Sequence, residues 1–209
     1  MTGPTEVAVW TSLGLLTGAT LTGASRRLIT SRPSTPLLVA ASAGATAVLF
    51  ALSISRTATV ADLLAYSVFA AIGVQVAAID LIDLRLPKAL IWPTFGALLV
   101  LLAASAASHG EHASLIRAAA GAAMLVAFYL AIAVVSRGGL GAGDVRLAAP
   151  VGLMLAWHDW PTLLTGTIVS FLGSCVLAAV TIATRHSSSR SAVPHGPAML
   201  TGAFAAMIA

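Results

Sequence analysis

The chain has 209 residues, 58% of them apolar and 9% charged, with a formal net charge of +4. Mean hydropathy is +0.97. Globular proteins carry roughly 25% charged residues. The eleven basic and seven acidic residues here cannot coat a water-facing surface of this size. A soluble globule, a disordered chain and a nucleic-acid binder are therefore excluded, and a polytopic α-helical membrane protein remains.

A membrane-spanning helix needs about 20 mostly apolar residues. Apolar runs at 7–24, 37–54, 60–79, 89–107, 113–135, 145–157, 161–183 and 195–209 predict a bundle of about eight transmembrane helices. The sixth and eighth runs are short and read as tilted, partial or merged. The first has no basic residue before it and reads as a retained helix, not a signal peptide. Polar punctuation separates the runs: Arg26, Arg27, Pro33 and Pro36, then Ser55 and Arg56, then Asp80 to Lys88, and Ser108 to His112. Further on come Ser136 to Asp144, His158 with Asp159, and Thr184 to Pro194.

Basic residues mark the cytoplasmic side of a membrane protein. The odd-numbered loops hold Arg26, Arg27, Arg32, Arg85, Lys88, Arg137, Arg146, Arg185 and Arg190. The even-numbered loops hold only Arg56 and Arg117, which accounts for all eleven. The N-terminus is therefore expected outside, with Asp80, Asp83 and Asp144 on the cytoplasmic side and Glu6, Asp62, Glu111 and Asp159 on the outer side.

The cytoplasmic acids need explaining. Asp80 ends the unbroken run Phe69 to Ile79 at the membrane boundary, where a charge is costly and is kept for a reason. Asp83 follows three residues later, on the same face if the segment stays helical. It reads as a solvated acid paired with Arg85. Pro87 then breaks the helix and biases Leu86 to an extended form. Asp144 closes a run with four glycines, Gly138, Gly139, Gly141 and Gly143. Glycine permits close backbone approach, so this loop brings a carboxylate against another segment. The alternative is a flexible turn with Asp144 as a helix N-cap. Asp80 and Asp144 end different spans on the same side and can meet in a compact bundle. Two aspartates that share a site cannot both ionise easily. One keeps its proton and the other acts as base, which suits activating a water and protonating a leaving amine.

These residues resemble the type IV prepilin peptidases (leader peptidases), membrane aspartic proteases of the Gly-x-Gly-Asp class. The pattern is an aspartate seven residues before the proline of a Leu/Ile-Pro pair, here Asp80 with Leu86-Pro87. It continues with Gly141-Ala142-Gly143-Asp144-Val145-Arg146-Leu147 and ends in Pro194-His195-Gly196-Pro197. Residues 60–209 carry these motifs, and 1–209 reads as a single membrane-embedded peptidase domain. The resemblance implies that Asp80 and Asp144 are catalytic, that Gly141, Gly143, Leu86, Pro87, Gly196 and Pro197 shape the site, and that no metal or organic cofactor is needed. Asp83 takes no role from the family, and His195 is a candidate lining residue. The implied substrates are precursors of type IV pilins and pseudopilins, whose short basic leader is cut before an apolar helix, at the cytoplasmic face of the bacterial plasma membrane. The chain lacks the two Cys-x-x-Cys pairs of larger members; Cys175 is its one cysteine. It therefore resembles a minimal peptidase, a form that fits Flp/Tad-type pili, and N-methylation is not expected of it.

Among the remaining residues, Gln75 is expected to hydrogen-bond between helices. Trp92, Trp157 and Trp160 suit the interfacial belts. Gly44, Gly73, Gly96, Gly121, Gly166 and Gly173 suit close helix packing. His109, His112, His158 and His186 read as loop residues without metal-ligand spacing. The rival from another class is a small proton-coupled membrane transporter, which wants acids at the midplane and an internal repeat. Here the acids sit at one face and no repeat is visible.

Overall fold

The computed structural model describes residues 3–25, 28, 35–57, 59–137, 139–184 and 194–209. Arg26, Arg27, Arg32, Pro33, Gly138, Arg185, His186 and Arg190 lie outside them. Among the described residues the chain forms eight α-helices and no strand: α1 Pro4–Ser25, α2 Thr35–Ile54, α3 Val60–Asp83, α4 Lys88–His109, α5 His112–Val135, α6 Ala142–His158, α7 Trp160–Thr184 and α8 Gly196–Ile208. Each coincides with one apolar run. The strong apolar character carries the helices, because in lipid a spanning segment must satisfy its own backbone polar groups.

Six of the helices are long and apolar enough to cross a membrane. The two short ones are α6, with 17 residues, and α8, with 13. At 1.5 Å per residue they reach about 25 Å and about 20 Å, less than a bilayer core of about 30 Å. The shortness expected of the sixth and eighth runs is thus observed, and both of these helices begin beside the cavity described below.

α6 is the central helix. It packs on α4, α5, α7 and α8, and every residue from Leu147 to Trp157 is buried. A helix that is apolar all round belongs in an interior. This is why Trp157 is buried rather than placed in an interfacial belt, unlike the exposed Trp92 and Trp160. Contact between α5 and α6 is close: a Cβ on Gly152 would stand 2.9 Å from the Ala122 Cα. Around this core α1 pairs with α2, α7 pairs with α8, and α3 touches α1, α2, α4 and α8. Gln75 joins α3 to α1, its Oε1 accepting from the Ser25 hydroxyl at 3.1 Å.

Of the glycines expected at helix seams, Gly121 and Gly166 do face neighbouring side chains. Gly44 and Gly96 do not: a Cβ on either would meet nothing within 4 Å. Small residues mark close packing only where a second helix is present, and at Gly44 an open groove takes its place.

Candidate active site

Three separated segments converge at one end of the bundle. The first is the end of α3. Asp80 and Asp83 both fall in its last turn, so the helix does persist through both acids. It stops at Leu84, which adopts the left-handed conformation (φ 52°, ψ 40°) and donates its N–H to the Asp80 carbonyl at 3.0 Å. A leucine there costs about 1–2 kcal/mol relative to the right-handed form. The chain then leaves the helix, and Pro87 caps α4 with φ −70° and ψ 116°.

The second segment is the glycine loop. Gly141, not Asp144, is the N-cap of α6. Asp144 sits three residues into the helix and reaches back, its Oδ2 accepting the Gly141 N–H at 3.2 Å. An acid in the first turn also suits the positive end of the helix dipole. The N-cap reading of Asp144 is thereby corrected. A glycine can serve as the cap because the acid that satisfies the free amide comes from within the helix.

The third segment opens α8. The Gly196 N–H donates to Asp80 Oδ2 at 3.0 Å across 116 residues of sequence. A Cβ on Gly196 would lie 2.8 Å from that same oxygen, and one on Gly143 would lie 2.6 Å from the Leu86 Cβ. Both glycines are therefore required by close approach rather than by torsion. Leu86 also stands 3.2 Å from the Gly196 Cβ position, so a single apolar side chain wedges all three segments.

Asp80 and Asp144 are 5% and 8% exposed. They are near enough to interact electrostatically, and both line one cavity of about 450 Å³. Leu86, Pro87, Gly141 and Gly143 line it too, as do Arg85 and Arg146. Of the residues expected to shape the site, Pro197 faces a neighbouring apolar groove instead. Asp83 is half-buried and does not line the cavity.

His195 stands behind the site. Its Nε2 meets the Tyr129 hydroxyl at 3.0 Å and its Nδ1 meets the Ser174 hydroxyl at 2.6 Å. Burial holds the imidazole below its ordinary value, which favours the neutral ring. The ring fixes the turn that presents the Gly196 amide. Tyr129 is 1% exposed and within electrostatic reach of Asp144. Sequence reasoning passed over it; the one available signal was a phenol inside the otherwise apolar stretch 118–135, which needs a partner when buried.

A pair of buried carboxylates on one cavity, each held by a backbone amide, is the arrangement that the sequence motifs imply. The sequence model of the type IV leader peptidase family matches residues 67–183, more than half of the 209 residues. The chain belongs to the type IV leader peptidase family. No curated protein and no solved structure matches it. The family match takes in both aspartates and the glycine loop but stops before Pro194-His195-Gly196-Pro197. The Gly196–Asp80 hydrogen bond ties that last motif to the same site of this leader peptidase family member.

Proposed function

We propose that this membrane protein is an aspartic endopeptidase that removes the short basic leader of type IV prepilin-like precursors, Flp/Tad-type pilins among them, at the cytoplasmic face of the bacterial plasma membrane. The observation that carries the proposal is the convergence of Asp80 and Asp144 on one cavity. In this mechanism the two acids share a proton and hold a water between them. One carboxylate takes a proton from the water as its oxygen attacks the scissile carbonyl, and the protonated partner polarises that carbonyl. When the tetrahedral intermediate collapses, the C–N bond breaks and the amine leaves with a proton from the dyad. Arg85 and Arg146 on the cavity wall are available to an extended peptide's carbonyls, and the excess of basic residues in the odd-numbered loops supports the cytoplasmic side.

The test is cleavage of a co-expressed pilin-like precursor. Asp80→Asn and Asp144→Asn are each expected to lose activity by more than about 10³-fold while still inserting in the membrane. Asp83→Asn is expected to keep substantial activity. Normal cleavage by either dyad variant would overturn the assignment. Loss with Asp83→Asn equal to that with Asp80→Asn would enlarge the dyad or move it.

A further inference from the structure

An apolar groove of about 570 Å³ runs between α2, α3 and α8. Its α3 wall extends from Gly73 to Leu81, about 12 Å at 1.5 Å per residue, and Gly44 and Val48 of α2 face it from the other side. Leu81 is 57% exposed and Val48 58%.

The groove shares a wall with the candidate active site. On α3, Ile79 and Asp80 line the polar cavity while the next residue, Leu81, lines the groove. On α8, Gly196 donates to Asp80 while Pro197 lines the groove. A carboxylate thus stands between a polar compartment and an apolar one. A substrate that is polar before the cut and apolar after it matches this division on both sides.

We infer that the groove holds the first turns of the precursor's apolar helix, the part immediately after the scissile bond, while the polar leader lies in the cavity. Gly44, where an added Cβ would meet nothing within 4 Å, and the small Ala77 leave the groove walls low, which lets an incoming helix approach closely where packing, rather than water exclusion, must hold it. Gly44 is then a glycine kept for a helix in another chain. The inference rests on the proposed endopeptidase reading.

Disulfide trapping separates the two. In a Cys175→Ala background, Gly44→Cys is combined with Asp144→Asn, and the probe is a precursor with a basic leader, a glycine and about 20 apolar residues that carry one cysteine in the second turn. Val100→Cys, an exposed position midway along α4, is the control. The expected result is an enzyme–precursor disulfide at Gly44 in at least about tenfold greater yield than at Val100. Equal yields, no disulfide, or only a Gly44→Cys homodimer would overturn the groove assignment in favour of lipid or a second copy. Cleavage of the same probe with Asp144 intact is scored separately. Failure of cleavage ends the endopeptidase reading, whereas normal cleavage without trapping ends only the groove.

Discussion

α3 carries a buried aspartate at each end, and the two ends differ. At one end Asp80 meets a second carboxylate, a glycine loop and the Gly196 amide. At the other end Asp62, 8% exposed, lies near a single imidazole: His158 is within electrostatic reach of Asp62, and also of Asp159 and Arg56. The His158 ring packs edge-on against Tyr66 at 5.5 Å. Thr59 caps α3 there, accepting the Asp62 N–H at 2.9 Å. Arg117 closes α6 by donating to the carbonyls of Ala156, Trp157 and His158 at 2.8, 2.6 and 2.7 Å. Asp62 Oδ1 is buried without a hydrogen-bond partner among the described residues, so its company there is a histidine and an arginine-closed helix end, whereas the Asp80 end sets one carboxylate beside another, an expense that folding alone does not require. Burial of a carboxylate is therefore weak evidence of a site, and the company it keeps is stronger evidence.

The sharpest way to break this contrast is to neutralise both ends in turn. Asp62→Asn is expected to stay within about threefold of the parent in precursor cleavage, against the more than 10³-fold loss expected of Asp144→Asn. Equal losses would erase the distinction. Gly143→Ala should come next, because its methyl group would collide with Leu86 and shift the glycine loop. A displacement near 1 Å at a reacting pair costs about 10²-fold, and a cleavage assay at matched protein levels reads it. Arg117→Ala probes the opposite end. It removes charge-assisted hydrogen bonds to three carbonyls and is expected to lower stability by about 2–4 kcal/mol, seen as a lower melting temperature, while activity per folded molecule is unchanged.

Smaller effects sharpen the picture. His195 is held neutral, so its contribution to stability is present above its ordinary value of about 6.5 and is lost as pH falls through its lower folded value. Melting temperature in detergent should fall on acidification below about pH 6.5, and less so in His195→Gln. Leu84→Gly relieves a left-handed leucine and is expected to raise stability by about 0.5–1 kcal/mol, measured by thermal unfolding.

Much of this was legible in one dimension. Lipid forces helices on any long apolar run, so all eight were readable from Pro4 to Ile208, and the acids at Asp80 and Asp144 stood out because charge at such positions is costly. What was not legible depends on which surfaces meet. Trp157 reads as a belt residue until α6 is known to be central. Gly44 reads as a packing residue until its neighbour proves to be open space. Arg117 looks like a loop cation until the end of α6 is found beneath it. Tyr129 carries no spacing signal, because its partner lies 66 residues away.

The Leu86 wedge has a consequence for tuning. Its side chain fills the space that a Cβ on either Gly143 or Gly196 would need, so its bulk acts as a shim between the segments that present the two acids. Trimming or swelling that one hydrocarbon would regulate the gap while leaving each acid and its amide chemically intact, a route by which cutting speed could drift in evolution without any change to the reacting groups.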